Sequence, residues 1–179
     1  FNLTLSGSGT KSINTANITV NGTLSMEGTA ITNNPPTYGP NATLKYNTAT
    51  PRNAGVEWIT PFAASGGVLI TNTGAITLNG AKVLNCGVPL TINSGATLIT
   101  NNFAMTFGGD FIKNGTFTAG SSAITIGTCT VNQSISGFTT TGTVSLTKTA
   151  GTATFTGNVN GGGLTINGTG GTLDLGAGL

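Results

Sequence analysis

The stretch GAITLNGAKVLNCGVPLTINSG, residues 74–95, predicts the fold because it combines strand-like alternation with regularly placed glycine. Ile76 and Leu78 alternate with threonine and asparagine, and a period of two is typical of a strand with one buried face. Asn79-Gly80 then ends the run, and both residues tolerate the positive φ angles that let a chain turn a corner. The stretch therefore reads as short strands joined by tight corners.

The glycine that opens this stretch returns about every 21 residues. A repeat of about 20 residues is the signature of a solenoid, and about three short alternating segments fit into each period. We therefore predict an all-β chain that forms a β-solenoid, or parallel β-helix, with about 20–22 residues per coil. The series comprises Gly74, Gly95, Gly115, Gly137, Gly157 and Gly178.

The alternative fold is a β-sandwich, because Asn-Gly between alternating runs is also a strong hairpin signal. Short and evenly spaced strands without the longer connections of a Greek key favour stacked coils instead.

The predicted solenoid has one interruption, at residues 33–66, which contain five of the six prolines, both tyrosines and the single tryptophan. Proline cannot donate to a strand ladder, so we expect an excursion or insertion here. Residues 1–32 are then the first coils and residues 67–179 the regular coils. Both termini fall within the repeat pattern, which indicates a fragment of a longer repeat protein.

Composition argues against catalysis. Charged residues make up 6% of the chain, histidine is absent, and the acids are Glu27, Glu57, Asp110 and Asp174. A serine or cysteine triad with histidine and a histidine-ligated zinc site are therefore excluded. Glu57 has basic residues nearby, Arg52 and Lys45, and we expect a surface ion pair there. We predict no enzyme, no cofactor and no metal site.

The aromatic residues of the interruption allow two interpretations. Tyr38, Tyr46 and Trp58 would form a stacking platform for a sugar ring if they were exposed. The alternative, which we favour, is that Trp58 packs the interruption onto the solenoid.

The two cysteines, Cys86 and Cys129, lie 43 residues apart, or about two coils. Two coils at about 4.8 Å each would separate them by nearly 10 Å, whereas a disulfide requires Cα atoms within about 7 Å. We therefore expect both to be unpaired, buried and structural, as are the repeated glycines.

Two further ligand hypotheses have weak support. The segment 170–175 is a single partial copy of a calcium-binding nonapeptide, which supplies too few oxygens for a good site. A β-solenoid face with ranks of threonine would suit ice, and residues 139–156 are rich in threonine, but the positions drift between segments.

Four motifs follow one another in the first part of the chain: NLTLSGSGTK at 2–11, VNGTLS at 20–25, PTYG at 36–39 and ATLKY at 42–46. Their order resembles repeat regions of very large cell-surface proteins of Bacteroidota, which are exported by the type 9 secretion system and include gliding-motility adhesins. The resemblance implies an extracellular, filamentous, adhesin-like role on the cell surface and carries no catalytic residue across.

The sequence therefore predicts a stalk segment of a secreted adhesin that supports adhesion or gliding. Carbohydrate binding through the aromatic segment is the alternative, and ice binding is a minor one. Expected partners are adjoining repeats, the secretion machinery and surface polysaccharide. The net charge of +2 argues against a nucleic-acid partner, and no apolar run is long enough to span a membrane.

Overall fold

A computed structural model describes residues 1–13, 18–127 and 129–176, and its elements are short β-strands that all pair in parallel. The chain winds through about eight turns of a β-solenoid, which confirms the predicted fold and not the β-sandwich. No helix among the described residues could cross a membrane. The strands are β1 (Leu3–Leu5), β2 (Thr10–Lys11), β3 (Thr19–Val20), β4 (Thr23–Met26), β5 (Ile31–Thr32), β6 (Thr37–Tyr38), β7 (Thr43–Tyr46), β8 (Arg52–Asn53), β9 (Val68–Ile70), β10 (Ala75–Thr77), β11 (Lys82–Val83), β12 (Leu90–Ile92), β13 (Thr97–Ile99), β14 (Met105–Phe107), β15 (Phe111–Lys113), β16 (Thr116–Thr118), β17 (Ile124–Ile126), β18 (Gln133–Ile135), β19 (Phe138–Thr139), β20 (Thr143–Leu146), β21 (Thr152–Phe155), β22 (Val159–Asn160), β23 (Gly163–Ile166) and β24 (Thr172–Asp174).

Each coil contributes strands to three faces, which we call A, B and C. Face A is one continuous nine-stranded sheet, β1-β4-β7-β9-β12-β15-β18-β21-β24. Face B is divided into the sheets β2-β5, β8-β10-β13-β16 and β19-β22. Face C consists of β3-β6 and β11-β14-β17-β20-β23, and a single bridge joins Phe62 to Leu84 between them. Face A is therefore the ladder that runs through the whole described chain.

The core is a set of columns of apolar side chains that stack from coil to coil. Leu24 pairs with Leu44 on face A, and the corresponding residue two coils further on is Leu90, all fully buried. The alternation seen in the sequence places these side chains inside and threonine outside. Because each buried leucine contributes roughly 1.5–3 kcal/mol, the columns hold neighbouring coils together.

The coils vary in length more than the sequence predicts. The successive register partners on face A, Leu3, Leu24, Leu44, Val68, Leu90, Phe111, Ile135 and Phe155, show that one coil takes 20 to 24 residues. Corners that connect faces absorb the difference, so the strand register on the faces is kept.

The predicted excursion at 33–66 is too broad. Its strands β6, β7 and β8 pair with strands of neighbouring coils on faces C, A and B. Residues 42–46 therefore contain a strand, whereas residues 56–59 form a turn within a longer corner. The five prolines lie in the connections between strands, where the missing N–H breaks no ladder.

The repeated glycines lie at corners, but their position relative to the following strand shifts by one residue between coils. Gly74 and Gly115 immediately precede strands of face B, whereas the coil between them has Ala96 at that position and Gly95 one residue earlier. Gly115 is required there, because a Cβ would overlap the carbonyl oxygens of Asn93 and Ala96. Gly178 lies outside the described residues.

The predictions that the cysteines are unpaired and that Cys86 is buried are wrong, whereas Cys129 is buried. Cys86 and Cys129 form a disulfide with a Cα–Cα distance of 5.2 Å. Cys86 belongs to a six-residue corner, 84–89, and Cys129 lies in the long connection from β17 to β18, but the coil between them turns with only three residues, 108–110. The two long corners therefore meet over the short one, and the spacing of the strand ladder does not apply to them.

The short corner is closely packed beneath the disulfide. A Cβ on Gly108 would overlap the Asn85 carbonyl, so only glycine allows this approach. The buried Gln133 amide donates to the Phe107 and Gly109 carbonyls at 2.9 and 3.0 Å, and its oxygen accepts from Lys148 Nζ at 2.8 Å. The Gln133 amide therefore satisfies the Gly109 carbonyl, and the other two carbonyls of the short corner accept from the N–H groups of Gly87 and Leu90.

Candidate functional site

The structure brings the predicted aromatic residues together but places them inside. Trp58 and Tyr46 are each 1% exposed, and Tyr38 is partly buried. The Tyr46 and Trp58 ring centroids lie 6.0 Å apart, and the Tyr38 ring meets Phe62 edge to face at 4.9 Å. This arrangement agrees with the packing interpretation, and the Tyr46 and Trp58 rings are not presented to a sugar.

Glu57 is the polar centre of this cluster. Its Oε1 accepts hydrogen bonds from the Tyr46 hydroxyl at 2.9 Å, from Arg52 Nη2 at 3.1 Å and from the Gly55 N–H at 2.9 Å. Its backbone carbonyl accepts from the Tyr38 hydroxyl at 2.7 Å. The network fixes the corner between faces B and C.

The Glu57–Arg52 ion pair is buried, which corrects the prediction of a surface pair. The two side chains are 0% and 3% exposed, and Lys45 lies on the outward side of face A. A buried pair differs from a surface pair because desolvation makes each charge dependent on its partner. The sequence could not show this, since only the turn at 54–61 folds Glu57 inward.

Lys82 extends the cluster on its other side. Its ammonium donates to the Trp58 carbonyl at 2.8 Å and lies 5.9 Å from the centre of the Trp58 ring. Burial lowers the pKa of Lys82, and the charge of Glu57 partly opposes this shift. The cluster therefore brings two basic side chains and one carboxylate together beside the Trp58 ring.

Titration of the tyrosines tests this burial. Desolvation, reinforced by the charge of Glu57, raises the pKa of Tyr38 and Tyr46 above the ordinary value of 10.0. We expect no tyrosinate absorbance at 295 nm from the folded protein between pH 10 and 11, and ordinary titration in guanidinium chloride. Because the unfolded state then binds fewer protons than the folded state, stability falls as pH rises above about 10. A normal phenolic titration of the folded protein would contradict the buried cluster.

Threonine and serine line one outward file on face C. On face C, outward positions of successive coils carry Thr106, Thr125, Ser145 and Thr165. Outward positions on face A are mixed, with Lys45, Leu69, Thr91 and Ile112 in sequence. A second file parallel to the first is not formed by these residues.

The described residues contain no group of three histidine, cysteine or acidic side chains that could hold a metal ion. In the segment 170–175, Asp174 accepts hydrogen bonds from the Gly176 N–H and the Thr154 hydroxyl. These contacts are those of a capping carboxylate at a corner.

An open depression of about 600 Å³ lies at the corner between faces A and B. It spans three coils and is lined by Lys113 and Phe117 from the first, Ser136 and Gly137 from the second, and Asn158 from the third. The repeat pattern of the sequence did not predict this depression.

The depression forms because one column of inward side chains on face A stops being apolar. The inward positions of face A that carry Met26, Tyr46, Ile70 and Ile92 in earlier coils carry Lys113 next. Phe111, Ile135 and Phe155 are register partners on face A, so the residues two positions after them share one column. These residues are Lys113, Gly137 and Gly157. Two coils therefore lack the side chain that would fill this corner. A lysine in an otherwise apolar column, followed by two glycines, is the sequence signal for the depression.

Face B is interrupted at the same place. Strand β16 pairs with β13, and β19 pairs with β22, but β16 and β19 belong to separate sheets. Thr116 N–H donates to Ala96 and the Thr118 carbonyl accepts from Thr100, so both residues are directed toward β13. Because parallel ladders alternate, the peptide groups of Phe117 are directed toward the depression.

Comparison with known proteins gave no match to a family model, to a curated protein or to a solved structure.

Proposed function

We propose that this chain is a structural stalk segment of a secreted cell-surface adhesin, and that it works through length and stiffness. The observation that carries the proposal is face A, one parallel ladder of nine strands that continues through coils of unequal length. Each coil pairs only with the coil before and after it, so stability is a sum of nearest-neighbour terms and such a rod can be extended. Eight turns at about 4.8 Å contribute roughly 40 Å of length.

The disulfide supports an extracellular location. Disulfides persist in oxidising environments such as the cell exterior and are rare in the cytosol. Cys86 and Cys129 tie together three coils across the short corner at 108–110. A covalent clamp of this kind resists separation of coils, which a load-bearing shaft requires.

The buried aromatic cluster also favours a stalk over a lectin that uses Tyr38, Tyr46 and Trp58. Tyr46 and Trp58 contribute their area to the core, and the Tyr38 hydroxyl is already bonded to Glu57. Low charge is compatible with export through a secretion pore before folding outside. Adhesion or gliding would then depend on other parts of the same surface assembly.

Imaging on intact cells tests the stalk. Antibodies against this chain should label the cell surface, and cryo-electron imaging should show thin labelled fibres tens of nanometres long with an axial repeat near 4.8 Å. A chain that labels only after the cells are permeabilised would overturn the extracellular proposal. Compact labelled particles without fibres would overturn the stalk.

A further inference from the structure

The depression beside Lys113 has the dimensions of a ligand site. Its volume of about 600 Å³ lies within the range of roughly 300–1,000 Å³ found for small-molecule pockets. It opens to solvent along the corner of the solenoid, so a unit of a long polymer could enter it while the rest of the polymer runs along the surface.

Its charge indicates an anionic ligand. Arg52, Lys82 and Lys148 are buried and bonded within the protein, whereas Lys113 lies at the depression. No aspartate or glutamate lines the depression, and the described residues provide no carboxylate partner for the Lys113 ammonium. Lys113 can therefore bind a ligand carboxylate without first losing an internal ion pair.

Its other groups indicate a ligand rich in hydroxyls. Ser136 and Thr139 supply hydroxyls, and Asn158 and Asn160 supply side-chain amides. Ser136 Oγ already accepts from the Lys113 N–H at 3.0 Å, and Thr139 Oγ1 accepts from Asn160 Nδ2 at 3.4 Å. The two hydroxyls can still donate to a sugar oxygen, and the Asn158 amide can both donate to and accept from sugar hydroxyls. Phe117 adds a partly exposed ring, an apolar surface on which the C–H face of a pyranose can pack.

The geometry does not suit an inserted peptide strand. Faces A and C remain paired across the same two coils, through β15 with β18 and β17 with β20. The Phe117 and Phe138 ring centroids lie 6.1 Å apart, whereas a strand inserted between two others separates them by about 9–10 Å. Among the residues of β16, only Phe117 directs its peptide groups toward the depression, so an extended peptide would find no ladder.

We propose that this depression binds a uronic acid residue of an acidic polysaccharide, with Lys113 on the carboxylate and Asn158 and Ser136 on ring hydroxyls. The proposal does not depend on the stalk function. A shaft with this site would bind polysaccharide along its side, and a compact protein could carry the same site.

Binding of defined oligosaccharides to the isolated chain tests the proposal. The probes are tetragalacturonate and an alginate tetramer, with neutral galactotetraose and tetraglutamate as controls for charge and for hydroxyls. Binding is followed by amide chemical shifts and calorimetry. We expect at least one uronate probe to bind, with shifts concentrated at residues 113–117, 136–139 and 156–160, and both control probes to bind about tenfold more weakly or not at all.

Three variants locate the binding. Lys113→Gln should weaken uronate binding about tenfold, and Asn158→Ala should weaken it several-fold. Lys45→Gln removes the same charge from the outward side of face A and should leave affinity unchanged. Circular dichroism melting establishes that each variant is folded.

Several results would overturn the proposal. They are the absence of binding by both uronate probes, equal binding of tetraglutamate or galactotetraose, and equal loss of affinity in Lys45→Gln and Lys113→Gln. Absence of surface fibres would leave this site unaffected, so failure of the stalk proposal and failure of the saccharide proposal are distinguishable.

Discussion

Glu57→Gln is expected to lower the free energy of unfolding by about 3–5 kcal/mol, because it leaves the buried Arg52 guanidinium without a countercharge. Glu57 and Arg52 are nearly inaccessible to solvent, and Glu57 Oε1 also accepts from Tyr46 and the Gly55 N–H. Urea denaturation followed by tryptophan fluorescence measures the change locally, since Trp58 is the only tryptophan and adjoins Glu57 in sequence.

Glu27→Gln is the matched control, because Glu27 is a partly exposed carboxylate that accepts from Ser25 and Asn47. We expect it to cost about 1 kcal/mol or less. Replacing both charged partners, as in Arg52→Met with Glu57→Leu, should recover part of the loss. Equal effects of Glu57→Gln and Glu27→Gln would contradict the buried ion pair.

Loss of the disulfide is expected to destabilise the protein by about 4 kcal/mol, the chain-entropy value for a loop of 43 residues. Cys86→Ser with Cys129→Ser removes the bond, and dithiothreitol should produce a similar loss in the unmodified protein. Cys86 is exposed, so the reductant can reach it, whereas Cys129 is buried. Circular dichroism in urea, with and without reductant, gives the difference.

The double cysteine variant is also the control for the reductant, since its unfolding curve should not respond to dithiothreitol. Maleimide labelling of the unfolded, unreduced protein checks the bond directly. Two reactive thiols in that experiment would contradict the disulfide, and a reductant effect of the same size in the double variant would assign the loss to another cause.

The buried cluster and the disulfide differ in how much the sequence could say about them. The sequence groups Glu57 with Arg52 correctly, because they are close along the chain. It does not show that the pair is buried, because burial depends on the turn at 54–61 that folds Glu57 toward Tyr46, a strand residue of another face. The disulfide is missed for a related reason: ladder spacing describes strands, and Cys86 and Cys129 lie in corners.

The depression at Lys113 is the clearest case of a feature that needs the register. Lys113 is unremarkable in sequence, and Gly137 and Gly157 appear there only as members of the series of corner glycines. Once the partners Phe111, Ile135 and Phe155 align the coils, the three residues fall in one column that is apolar in earlier coils. A single residue of error in coil length would hide the column, and the coils vary from 20 to 24 residues.

The sequence by itself determined the β-solenoid, its three short strands per coil and the inward side of most strands. It could do so because alternation, corner residues and repeat length are local properties of the sequence that are repeated in every coil. Only the tertiary structure decided the disulfide, the burial of Glu57 and the depression beside Lys113. Each of these depends on how corners of unequal length are placed relative to one another, and that placement is set by packing between coils rather than by any pattern within one coil.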